Sequence, residues 1–279
     1  MNLYSATPCG SKFGKLPGML AMLLLAGAGL VQAQEYNNFA YLLEYDYTVT
    51  IIGYTGEDTA IEIPSSILDR PVASIGRGAF RDNERLESAT LPDSVKTIRE
   101  SAFRDCARLE SIVIPDSVET IGPYAFAGCT MLEEIVLPPS VKTIGDSAFS
   151  GCTRMKSIKI PAGIKNIGHW AFRNCTSLES IVIPDSVATI GALAFWGCIN
   201  LKEVILPASI ETIGRWAFRD CSDLQSVRFN GDAPKIEPNL FYGAEEATVY
   251  RTADANGWPS PGEKWAGRPT ALWDGPEED

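Results

Sequence analysis

His169 is the only histidine in a chain of 279 residues, so any Ser-His-Asp or Cys-His machinery would have to be assembled around it, and a histidine-rich zinc site is excluded. Six of the seven cysteines, Cys106, Cys129, Cys152, Cys175, Cys198 and Cys221, recur every 23 residues. If each period is one rung of a stack, their Cα atoms stand about 5 Å apart, within disulfide range. Stacked side chains run parallel, however, so the Cβ atoms also stand about 5 Å apart rather than the usual ~3.8 Å, which favours a buried thiol ladder over bridges. A straight column cannot surround zinc tetrahedrally. The carboxylate pairs Glu133-Glu134 and Glu245-Glu246 are sequence neighbours, and nothing places two carboxyls about 5–9 Å apart across a cleft, as glycoside hydrolysis needs. No catalytic, cofactor-binding or metal-binding residue is therefore expected, and the chain reads as a non-enzyme.

The elements that must position these residues follow from the same period. Ile75, Ile98, Ile121, Ile144, Ile167, Ile190, Ile213 and Ile236 form one column. Phe80, Phe103, Phe126, Phe149, Phe172, Phe195, Phe218 and Phe241 form another, each but the last preceded by Ala. A 23-residue period with a short alternating apolar run predicts a leucine-rich-repeat solenoid: mostly short parallel β-strands with turns and short helical turns, and β caps at both ends. In the unit starting at Leu109, Ser111 to Ile114 reads as a strand with Ile112 and Ile114 on one face, and Pro115 ends it for want of an N–H. Val118 and Ile121 point inward again, and Ala125-Phe126 are expected on a helical turn. The residues preceding the cysteine column, Asp82, Asp105, Gly128, Gly151, Asn174, Gly197, Asp220 and Gly243, are types that tolerate left-handed backbone. The glycine column at Gly76, Gly122, Gly145, Gly168, Gly191 and Gly214 contains Arg99, which points to a need for tightness rather than for a glycine-only conformation.

Two columns are candidate partner-binding surfaces. The outward strand positions include Val113, Val136, Lys159, Val182 and Ile205, flanked by Ser and Glu; such an apolar stripe suits protein contact, although valine also favours strands for its own sake. The second holds Tyr124, Ser147, Trp170, Leu193 and Trp216, with Trp196 close by. Its rings suit protein hot spots or sugar stacking, or else pack laterally. His169 is expected as an exposed neighbour of this stripe.

Residues 1–33 carry Lys12 and Lys15, no acid, an apolar run from Met19 to Val31 and then Val31-Gln32-Ala33, the order of a secretory signal peptide. The run is too short for a membrane span. Its removal takes two lysines from a chain of net charge −11 and leaves 22 basic against 35 acidic residues, a net of −13. That balance lacks the basic footprint of a nucleic-acid binder. The expected organisation is a signal peptide at 1–33, an N-terminal β cap and lead-in segment at 34–74, the solenoid at 75–244, and a C-terminal cap with acidic tail at 245–279. Tyr45 to Ile52 and Ala60 to Ile63 are expected as cap strands, with Pro64 to Ile75 as a connection. Trp258, Trp265 and Trp273 are expected to pack the C-terminal cap.

The unit Leu-x-x-Ile-x-Ile-Pro-x-Ser-Val-x-x-Ile-Gly-x-x-Ala-Phe-x-x-Cys-x-x resembles that of the bacterial BspA-like leucine-rich repeats over roughly residues 60–244. The closing segment, from Gly231-Asp-Ala-Pro234 to Gly267-Arg-Pro-Thr-Ala-Leu-Trp273, is similar to a cap seen on some bacterial members. The resemblance implies a secreted or cell-surface protein with an adhesin-like role in binding host or matrix proteins. It implies no catalysis and no defined set of binding residues. The partner expected is an extracellular or surface protein, with a polysaccharide as the alternative.

Overall fold

The computed structural model describes residues 23–26 and 29–275, with side chains from Ala33 onward. Within the expected leader, Leu23–Ala26 pairs antiparallel with Gly29–Gln32, and residues 1–22, 27 and 28 lie outside the described residues.

Each 23-residue period makes one rung, and successive rungs pair in register. One ladder runs through Ala60–Glu62, Ser88–Thr90 and Ser111–Val113, and resumes through Ser180–Val182, Glu203–Leu206, Ser226–Phe229 and Thr248–Arg251, all parallel. A second runs through Arg70–Ile75, Thr97–Ile98, Thr120–Ile121 and Thr143–Ile144, then through Asn166–Ile167, Thr189–Ile190, Thr212–Ile213 and Lys235–Ile236. The inward Ile, Leu, Val, Ala, Phe and Cys columns form one continuous buried core. Neighbouring phenylalanine rings from Phe80 to Phe241 stack with centroids 4.9–5.7 Å apart and nearly parallel planes. No rung could bury these faces alone; stacking removes them from water.

Among the described residues there is no helix. The Ala-Phe segments expected to be helical turns are successive i to i+3 turns, such as Ala125 N–H to Gly122 C=O and Ala127 N–H to Tyr124 C=O. The reason is two left-handed residues per rung, four apart. One is the residue before the cysteine column, as expected: Asp82, Asp105, Gly128, Gly151, Asn174, Gly197, Asp220 and Gly243 have φ between 55° and 78°. The other precedes the Ala-Phe pair: Gly78, Ser101, Tyr124, Ser147, Trp170, Leu193, Trp216 and Asn239, with φ of 55° to 62°. Right-handed helix cannot propagate through such positions. The corner is held instead by bonds along the stack. The N–H of Phe80 donates to Ala102 C=O at 2.7 Å, Phe103 to Ala125 at 2.8 Å and Phe126 to Ala148 at 2.8 Å, and the series continues to Phe218 and Leu240. Each link uses both ends of one Ala-Phe peptide group, so these groups chain head to tail along the axis.

A hydroxyl column straps neighbouring rungs. Ser94, Ser117, Ser140, Ser186 and Ser209 donate to the carbonyls of Val72, Val95, Val118, Ile164 and Val187 at 2.6–2.8 Å. Gly163 holds the corresponding position opposite Val141 and has no hydroxyl to give. At this rung the second ladder is interrupted, Thr143–Ile144 and Asn166–Ile167 not pairing; the first ladder is interrupted over this rung and the one before it, between Ser111–Val113 and Ser180–Val182, with only Lys159 bridging to Val182. The Ala-Phe chain carries the stack across the interruption.

The glycine column is explained by room. A Cβ on Gly145 would stand 2.4 Å from Pro123 N, and one on Gly122 2.8 Å from Arg99 C, while neither has a left-handed φ. Arg99 is likewise not left-handed.

The N-terminal cap differs from expectation. Gln34–Tyr36, Phe39–Leu43 and Val49–Tyr54 form an antiparallel meander whose last strand pairs parallel with Arg70–Ile75. Ala60–Glu62 instead heads the first ladder, and the expected connection from Pro64 to Ile75 contains a hairpin, Ser66–Ile67 against Arg70–Ile75. At the other end, Trp258 and Trp265 pack on Phe229, with centroids at 4.8 and 5.4 Å, and Trp273 Nε1 donates to Phe229 C=O at 3.2 Å.

Candidate functional site

The residues with the most chemical potential are spent on structure. The six columnar cysteines are buried free thiols. Each Sγ donates to a phenylalanine carbonyl of the preceding rung at 3.0–3.3 Å, from Cys106 on Phe80 to Cys221 on Phe195. Burial pushes the Cys106 and Cys175 thiols up to about 12 and raises those of Cys129, Cys152, Cys198 and Cys221 well above the ordinary value. They are inert as nucleophiles. His169 is exposed, as expected; its Nδ1 accepts the N–H of Ala192 at 2.9 Å and its own N–H donates to Asp146 Oδ1 at 2.8 Å, which makes it a clamp between rungs. Among the described residues, no group of three or more His, Cys, Asp or Glu is arranged to hold a metal.

The outward strand column lies on the solvent face. Ile112, Ile135, Ile158, Ile181 and Val204 are buried, while their neighbours Val113, Val136 and Val182 are 60%, 71% and 67% exposed. Lys159 is exposed between the last two valines, and Ile205 is half-buried. Below Ile205 the column changes character: Arg228 pairs with Glu203 at 2.7 Å and lies over the Trp273 ring at 5.3 Å. Val136 and Lys159 sit where the ladder is interrupted.

The aromatic residues occupy two adjacent columns, with Trp196 beside the stripe. Tyr124, Trp170 and Trp216 belong to the left-handed column; Trp196 belongs to the column just after Phe, with Arg104, Ala127, Ser150, Arg173, Arg219 and Tyr242. Arginines cover most of these rings. Arg173 and Arg219 lie 4.4 and 5.3 Å from the Trp196 centroid, Arg215 is 3.8 Å from Trp216, and Arg104 is 5.4 Å from Tyr124. Trp196 Nε1 also donates to Asp220 Oδ2 at 2.8 Å. Trp170 has no arginine over it and is 37% exposed. Between the Tyr124 and Trp170 rungs the side chains shrink to Ala127, Gly128, Ser147 and Ser150, leaving an open notch of about 370 Å³. Its lining was not evident from residue types alone, because the notch is defined by small side chains meeting across rungs.

Among the described residues, no helix is long and apolar enough to cross a membrane.

The model of the BspA type leucine rich repeat region matches residues 55–178 and 142–252, in six copies. A leucine-rich repeat protein of Bacteroides ovatus ATCC 8483 is similar in structure at 28% identity, with 78% of this chain and 70% of that one covered and a TM-score of 0.55. The leucine rich repeat protein of T. pallidum is similar at 26% identity, covering 77% of this chain and 90% of its own, with a TM-score of 0.56. No curated protein sequence matches the chain.

Proposed function

Because the chain belongs to the BspA-type leucine-rich repeat family, we propose that it is a non-catalytic, exported protein that binds another extracellular or surface protein in an adhesin-like manner. The observation that carries this reading is the exposed column Val113, Val136 and Val182, set among Ser and Glu on the solvent face of the first ladder. Apolar side chains held out to water in one line gain by being covered by a partner. Lys159 supplies a cation within the stripe. Export rests on the charge and apolar order of residues 1–33, and the acidic mature surface disfavours nucleic acid.

The test is capture of extracellular-matrix proteins by the purified chain, with Val136→Asp alongside. Val136 is already at the surface, so the substitution leaves the core intact. A captured protein lost in Val136→Asp supports the reading and locates its face; capture that survives the charge places the contact elsewhere. Carbohydrate stacking has one specific observation in its favour, the uncovered ring of Trp170. It predicts a glycan bound in high salt and lost in Trp170→Ala.

A further inference from the structure

Four arginines share the column just after Phe, and three of them turn Nε to the aspartate that follows. Arg81 meets Asp82 at 3.4 Å, Arg104 meets Asp105 at 3.1 Å and Arg219 meets Asp220 at 3.2 Å. Arg173 is followed by Asn174, so it has no such carboxylate, and among the described residues it makes no ion pair. The side chain is half-buried, and none of its guanidinium nitrogens has a hydrogen-bond partner among the described residues, so its charge is met only by solvent or a ligand.

One face of the Arg173 guanidinium covers Trp196 at 4.4 Å, and the residue also lines the notch. Across two rungs stands the Arg104–Asp105 pair, already neutralised, and the floor between carries the hydroxyls of Ser147 and Ser150. The notch thus offers one unpaired cation, neutral donors and the Trp170 ring as a wall.

We infer that this notch is a recognition site for a carboxylate, and that its occupant is a glutamate or aspartate side chain of an extended partner segment. A carboxylate takes only acceptor bonds, which a guanidinium and two hydroxyls supply, and a fork of N–H donors suits it in particular. A sugar acid would add several ring hydroxyls needing acceptors, and the one carboxylate lining the notch, Asp105, is engaged by Arg104. The site is formed by turn residues, apart from the valine strand column, so it stands or falls independently of binding there.

The test is titration of the full chain with short Gly/Ser peptides carrying a central Glu, or Gln in its place, followed by tryptophan fluorescence and calorimetry. The Glu peptide should bind at least tenfold more tightly than the Gln peptide. Arg173→Gln should weaken it at least tenfold, whereas Arg219→Gln, which removes an already paired arginine from the same column, should change it less than twofold. Ser150→Leu, which fills the notch with an uncharged side chain and removes one of its hydroxyls, should also abolish binding while circular dichroism stays unchanged. Equal binding of the two peptides, indifference to Arg173→Gln, or no peptide binding at all would overturn the proposal. So would Arg173-dependent binding of oligogalacturonate without peptide binding, which would reassign the notch to acidic saccharide.

Discussion

The Sγ of Cys129 donates to the carbonyl oxygen of Phe103 at 3.2 Å, and the same oxygen receives the N–H of Cys106 at 3.3 Å. Repeated along the stack, this pairing saturates the phenylalanine carbonyls where the chain turns. The thiol is therefore used as a small buried donor, which explains a column of free, buried cysteines.

Stability should be insensitive to pH through neutrality and fall above about pH 9. Unfolded thiols ionise near 9, whereas Cys106 and Cys175 keep their protons to about 12, so the unfolded state loses protons first and gains from rising pH. Each such thiol removes about 1.4 kcal/mol per pH unit in that window. Urea unfolding at pH 7, 9 and 10.5 measures the slope, and Cys175→Ala should make it shallower. Rapid maleimide labelling of the native protein at pH 8 would contradict the burial assigned to the column.

Gly163→Ser should stabilise the protein by about 1 kcal/mol, by supplying the missing strap to Val141 and removing glycine's conformational freedom. A Cβ there would lie 3.2 Å from the Val141 carbonyl oxygen, on the side the other serines use. Hydrogen exchange should slow at Ile144 and Ile167 in particular. The converse change, Ser186→Ala, should cost a similar amount; no effect from either would remove the strap as the cause of the interruption.

Leu193→Asn should raise the thermal midpoint although it replaces an apolar residue. Leu193 has φ of 60°, a conformation costing an ordinary residue about 1–2 kcal/mol that asparagine tolerates. Leu193→Val, β-branched, should lower the midpoint. If asparagine and valine behave alike, backbone conformation is not what governs this site.

Gly145→Ala should destabilise by about 3 kcal/mol, since the added methyl meets the backbone of the preceding rung at Pro123 and Gly122 and cannot be relieved by a rotamer change. An unchanged midpoint would show that the rungs can separate at no cost.

Much of the architecture was legible from local pattern. The 23-residue columns named the rungs, and alternation of Ile112 with Val113, or Ile181 with Val182, assigned inward and outward faces, because neighbouring side chains on a strand point oppositely wherever the strand lies. Asp82, Gly128 and Asn174 announced their left-handed backbone through residue type. Tyr124, Trp170 and Leu193 did not, since nothing in an aromatic or aliphatic side chain signals that conformation; bonds such as Tyr124 N–H to Asp146 C=O impose it from the next rung. For the same reason the Ala-Phe segments read as helical turns and proved otherwise.

The sequence by itself determined the repeat, the core columns and the solvent-facing valines, because each depends on spacing within one unit. Only the tertiary structure decided the thiol-to-carbonyl pairing, the serine straps, which tryptophans lie under arginine, and the notch beside Arg173. Each of these depends on which residues meet from rungs 22 to 26 positions apart, and that is set by the register in which the peptide groups of one rung bond to the next.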